Sequence, residues 1–157
     1  MTNPGAQKYL WGKVRQNYYE KGVRLFWLDV AEPEYIPYDF DHYRIYRGSN
    51  LQFGNQYPYG YAKAFYDGMS EAGQEKVINL VRCAWAGSQR VGALVWSGDV
   101  HSSFQSLRDQ FAAGLNMGMA GIPWWTTDIG GFLAGARMTG RSVNYSYGGL
   151  STPRFAR

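Results

Sequence analysis

The sequence predicts an α/β fold built on a parallel sheet, open or closed into a barrel. Short apolar runs alternate with segments of helical period, the pattern of strands joined by crossover helices. Each run also ends in or beside a charged residue: Asp29, Arg82, Asp99 and Asp128. In a parallel sheet the strand termini lie along one edge, where α/β enzymes carry their chemistry.

The elements follow in order. Asn3 suits an N-cap and Pro4 a first helical position, and Leu10, Val14 and Tyr18 recur at helical spacing until Gly22, so a helix is expected from about 4 to 20. VRLFWLD, residues 23–29, is too short and too evenly apolar for a surface helix and reads as a buried strand. Residues 33–57 are rich in Pro, Tyr, Asp, Gly and Asn without period, and read as a long loop of the kind that carries function. Tyr61, Phe65 and Met69 mark a second helix closed by Gly73. VINLVRC, 77–83, and VGALVWSGD, 91–99, are the next two strands, joined by an irregular crossover. Ser102 or Ser103 can cap a helix with Leu107, Phe111 and Leu115 on one face, and MAGIPWWTTD, 119–128, reads as a fourth strand.

Composition narrows the function. At 157 residues with 45% apolar content the chain can bury a core, and an aromatic share of 17% with 20 glycines suits the stacking of planar ligands such as sugar rings. The net charge of +4 belongs to the end of the chain, where Arg137, Arg141, Arg154 and Arg157 meet no acid. A basic tail without helical pattern is a poor case for a nucleic-acid partner, so none is expected. Cys83 is the lone cysteine, which excludes an intrachain disulfide. No signal-peptide pattern or membrane-length apolar window is visible, and the chain reads as soluble and by default cytoplasmic, with no membrane partner.

Three carboxylates and one arginine on the rim of a parallel sheet fit few reactions. Glycoside hydrolysis with retention needs two carboxyl groups about 5 to 5.5 Å apart, one to attack the anomeric carbon and one to protonate the leaving oxygen. An arginine and a further carboxylate can hold sugar hydroxyls. Trp27, Trp85, Trp96, Trp124 and Trp125 lie near these groups in sequence; Trp27 and Trp96 are expected to face the sugar, Trp11 and Trp85 to pack.

The runs WLDVAEPE, RCAWAGSQRVGALVWSGD and GLNMGMAGIPWWTTDIGGF resemble the signature blocks of glycoside hydrolase family 31, in the right order over residues 2–132. The resemblance implies a partial (β/α)8 TIM barrel, roughly strands 4 to 7, of a retaining α-glucosidase or α-xylosidase. It implies Asp29 as nucleophile and Asp99 as acid/base, with Arg82, Asp128 and Phe132 on the sugar. Trp27 and Glu32 share the first block, and Trp96 the second; they are expected substrate-binding positions, Glu32 also orienting the site. The implied partner is an oligosaccharide, with no cofactor and no metal.

Other readings remain. A non-catalytic sugar-binding protein would use the same aromatics and acids. Asp39, Asp41 and His42 imitate a metal site, but no second histidine lies at ligand spacing, and loop solvation accounts for them. Cys83 is expected to be buried and inert. Residues 1–132 are expected to be the partial catalytic barrel, and 133–157 an irregular Arg-, Gly- and Ser-rich tail with the character of a frame-shifted end. Half a barrel exposes two strand edges, so the isolated chain is expected to be poorly stable and inactive.

Overall fold

In the computed structural model, which describes residues 1–30, 32 and 42–133, the chain falls into two compact units, Met1–Ala93 and Leu94–Arg157. In the first, α1 (Pro4–Asn17) starts as its sequence predicts: the Asn3 side chain accepts the Gly5 amide at 2.8 Å and proline takes the first turn. It stops earlier than expected, passing into a single 3-10 turn at Tyr19–Lys21. Trp11 of α1 lies against α3 (Gln56–Glu71) at Gly68, where a Cβ would come within 2.3 Å of the indole ring. The glycine lets the two helices approach. Around this contact Trp11, Tyr19 and Phe65 pack edge to face, and Phe65 and Met69 are buried.

Helix α3 begins five residues before Tyr61, the first residue of its predicted pattern. Pro58 falls in its first turn, where a missing N–H leaves no helical hydrogen bond unmade. Part of the expected loop is ordered as well: β2 (Arg44–Ile45) and β3 (Gly48–Ser49) form a small antiparallel hairpin, followed by the short helix α2 (Asn50–Phe53). The loop expectation for 33–41 lies outside the described residues.

The strand β1 is only Trp27–Leu28, and it pairs in parallel with β4 (Asn79–Val81), Trp27 beside Leu80 and Leu28 beside Val81. Val23 and Leu25, expected within this strand, are exposed and precede the ladder. Asn79 is the polar residue at the centre of this core. Its side chain accepts the Phe26 amide at 3.0 Å and reaches the Met69 sulfur, while its own amide donates to Gly92. Because α3 links the end of β1 to the start of the parallel β4, its N-terminus lies at the edge where Asp29 emerges.

The second unit begins within β5 (Ala93–Trp96), which pairs in parallel with β6 (Trp125–Thr126), and α4 (Phe104–Met119) packs against β6. Ser103 is the cap, its hydroxyl accepting the Ser106 amide at 3.1 Å. Gly114 is the point of contact with the sheet, since a Cβ there would lie 2.6 Å from the Trp125 ring. Phe111 and Leu115, expected on one face of this helix, are 44% and 42% exposed. The predicted strand 119–128 is shortened because α4 runs to Met119 and turns at Gly121, and Pro123 has no N–H for a ladder.

Candidate active site

In the first unit, Asp29 follows the last residue of β1 and Arg82 follows the last residue of β4, so the parallel ladder sets them side by side. The Arg82 Nη1 lies 3.7 Å from Asp29 Oδ1, and its Nε donates to Glu32 Oε1 at 2.8 Å. One guanidinium thus serves two carboxylates, the tighter contact going to Glu32. Asp29 Oδ1 and Glu32 Oε2 are buried atoms that accept no hydrogen bond among the described residues. Buried acceptors are normally satisfied, so these two stand out within the unit. Trp27 is 58% exposed, presenting an apolar surface beside Asp29.

The charges are felt around them. Burial, then Tyr57, then Asp29 push the Tyr61 phenol above its ordinary value. Cys83 is half-buried rather than buried; burial and then the Glu32 charge raise its thiol, against a hydrogen bond with Trp85 and the charge of Arg82. Trp85, expected to pack, is 47% exposed, while Trp11 packs as expected.

In the second unit, Trp96 is buried and its indole N–H donates to Asp128 Oδ1 at 2.7 Å. The ring thereby clamps Asp128, whose Oδ2 is buried without a hydrogen-bond partner among the described residues. The loops after β5 and β6 are laced together. Ser97 and Thr127 hydroxyls meet at 2.9 Å, Ser102 Oγ donates to the Gly130 carbonyl, and the Phe132 and Leu133 amides both donate to Val100 O. This lacing fixes the chain carrying Asp99, which is exposed, against the chain carrying Asp128 and the exposed Phe132.

His42 is exposed, and Asp39 and Asp41 lie outside the described residues. Among the described residues no group of three or more His, Cys, Asp or Glu could hold a metal ion, and no helix is long and apolar enough to cross a membrane. Apart from Leu133, the expected tail is outside the described residues. Two structural residues escaped the sequence reading. Asn79 was signalled only as a polar residue in an apolar strand, and Ser97 only as part of the tryptophan-to-aspartate turn.

Carboxylates delivered by the ends of parallel strands, one beside an arginine and another gripped by an indole, define the class: an α/β protein with its chemistry-bearing residues on the carboxyl edge of a parallel sheet. The profile of the glycosyl hydrolases family 31 TIM-barrel domain matches residues 1–151. The chain belongs to glycosyl hydrolase family 31, and its described fold corresponds to part of that barrel. It is 61% identical over 134 residues to an uncharacterized family 31 glucosidase of Pseudescherichia vulneris, covering 85% of this chain and 25% of the relative. An alpha-xylosidase of Saccharolobus solfataricus is 39% identical over 138 residues, covering 83% and 18%. The crystal structure of a family 31 alpha-xylosidase from a soil metagenome, complexed with xylose, superposes with a TM-score of 0.83 at 64% identity, over 85% of this chain and 20% of that one. The chain therefore spans a quarter or less of the length of these relatives.

Proposed function

We propose that this chain is part of the catalytic barrel of a retaining exo-α-glycosidase that removes terminal α-xylosyl or α-glucosyl residues from oligosaccharides. The observation that carries the reading is Asp29 at the carboxyl end of β1, its Oδ1 beside the Arg82 guanidinium yet accepting no hydrogen bond among the described residues. The names of the relatives, glucosidase and alpha-xylosidase, and the xylose bound to the metagenomic enzyme support the substrate class.

In the first step the Asp29 carboxylate attacks the anomeric carbon while the Asp99 carboxyl gives its proton to the departing glycosidic oxygen, leaving a glycosyl ester on Asp29. In the second, the Asp99 carboxylate takes a proton from water as that water attacks the same carbon, releasing the sugar and restoring both acids. The guanidinium of Arg82 lies beside the Asp29 carboxylate, 3.7 Å from its Oδ1, and holds it from one side. Asp128, held by Trp96, accepts sugar hydroxyls through its free oxygen, and Trp27 and Phe132 offer exposed rings to the sugar face.

A mechanism-based 5-fluoro glycosyl fluoride, added to the enzyme with its complete barrel, should leave a covalent label on the peptide containing Asp29. A label on any other carboxylate would remove Asp29 from the role. Asp99→Asn should lower kcat by about 10²- to 10⁴-fold for a sugar leaving group and much less for an activated aryl leaving group. Sugar binding without turnover in the unaltered enzyme would instead mark a binding protein.

A further inference from the structure

Asp29 and Glu32 are three residues apart, and their joint contact with Arg82 is not what an extended chain would give. Along a strand the side chains alternate and advance about 3.3 Å per residue, so positions i and i+3 point to opposite faces roughly 10 Å apart. Here both carboxylates lie within 3.7 Å of one guanidinium. The chain must reverse its facing just after β1. Val30, directly after Asp29, has φ at +52°, the one non-glycine residue of positive φ among those described.

A β-branched residue in the left-handed region is an uncommon and costly conformation, held only where the surroundings dictate it. Packing does not explain the choice of valine, since its side chain is 45% exposed. Glycine would make the same turn without steric cost, but it would also leave the backbone beside Asp29 free to sample other turns. Valine cannot roam in that way, because its branched Cβ restricts both χ1 and the neighbouring backbone.

We propose that Val30 is a positioning residue: its left-handed turn brings Glu32 onto Arg82 alongside Asp29 and fixes the Asp29 carboxylate for attack. Glu32 then acts on the reaction through Arg82, gripping the guanidinium by its Nε and leaving Nη1 toward the nucleophile. This rests on the reading of Asp29 as the nucleophile.

The test compares Val30→Gly and Val30→Pro with the unaltered enzyme, in its complete barrel, by thermal midpoint, by kcat and KM on an aryl α-xyloside and an aryl α-glucoside, and by crystallography. Val30→Gly should melt no lower than the parent, since steric strain is relieved. Its kcat should fall about tenfold with KM changed less than about twofold, because a looser nucleophile still binds sugar but is aligned less often. Val30→Pro, with φ fixed near −65°, should part the two carboxylates from Arg82 and abolish turnover. A Val30→Gly enzyme with unchanged kcat, or a Val30→Pro structure in which both acids still meet Arg82, overturns the positioning role while leaving the glycosidase reading intact. Failure of the parent to cleave either aryl glycoside overturns both.

Discussion

Asn79 shows how one polar side chain can be worth more than an apolar one in the same place. It is buried to 1% exposure, and it supplies the acceptor for the Phe26 amide just before β1. Asn79→Leu keeps the branched outline of the side chain but leaves that amide without its partner, which should cost about 1 to 3 kcal/mol in urea unfolding. A change under about 0.5 kcal/mol would mean that water replaces the lost bond. Cys83 offers a second test at this scale, with the sign set by its neighbours. Its thiol is raised by burial and by Glu32, so less thiolate is present at a given pH than for a free cysteine, and alkylation is slow. Glu32→Gln removes one raising influence and should speed alkylation at mildly alkaline pH. An unchanged or slower rate would mean that the Glu32 charge does not reach the sulfur.

At the scale of elements, α1 and α3 depend on the flat contact between Trp11 and Gly68. Gly68→Ala puts a methyl group into the indole ring, and the helices must separate, at a cost of about 1 to 3 kcal/mol despite the better helix propensity of alanine. A melting temperature equal to or above the parent's would refute that contact. Ser103→Ala, which removes the cap of α4 and the bond to the Ser106 hydroxyl, should cost about 1 kcal/mol. The starts of α1 and α4 were legible because Asn3, Pro4 and Ser103 do their work locally, whatever else the chain packs against. Strand lengths were not, because apolar runs such as VRLFWLD mark where a chain will be buried without marking which residues find a ladder partner. The order of site residues was legible from the three sequence blocks. The pairing of Arg82 with Glu32 and the duty of Trp96 toward Asp128 were not, since each depends on a turn or on a partner 32 positions away.

For the whole molecule, the question is what this length of chain can do alone. Among the described residues β1 pairs only with β4, and Leu25 and Trp27 at its open side are 65% and 58% exposed. An apolar hollow lined by Val14, Tyr18, Phe26 and Phe65 opens in the same unit. Such an edge invites pairing with other chains. The purified 157-residue chain should therefore bind a hydrophobic dye, self-associate in gel filtration and leave aryl α-xylosides and α-glucosides uncleaved. A sharp thermal transition from a monomer with measurable turnover would contradict this. The hydrogen bond from Trp96 to Asp128 has a practical consequence for such work. An indole nitrogen tethered to a carboxylate is a spectroscopic handle, so 5-fluorotryptophan at position 96 would give a ¹⁹F resonance that moves when a ligand hydroxyl arrives on the far oxygen of Asp128, reporting binding at that carboxylate even in a variant that performs no chemistry.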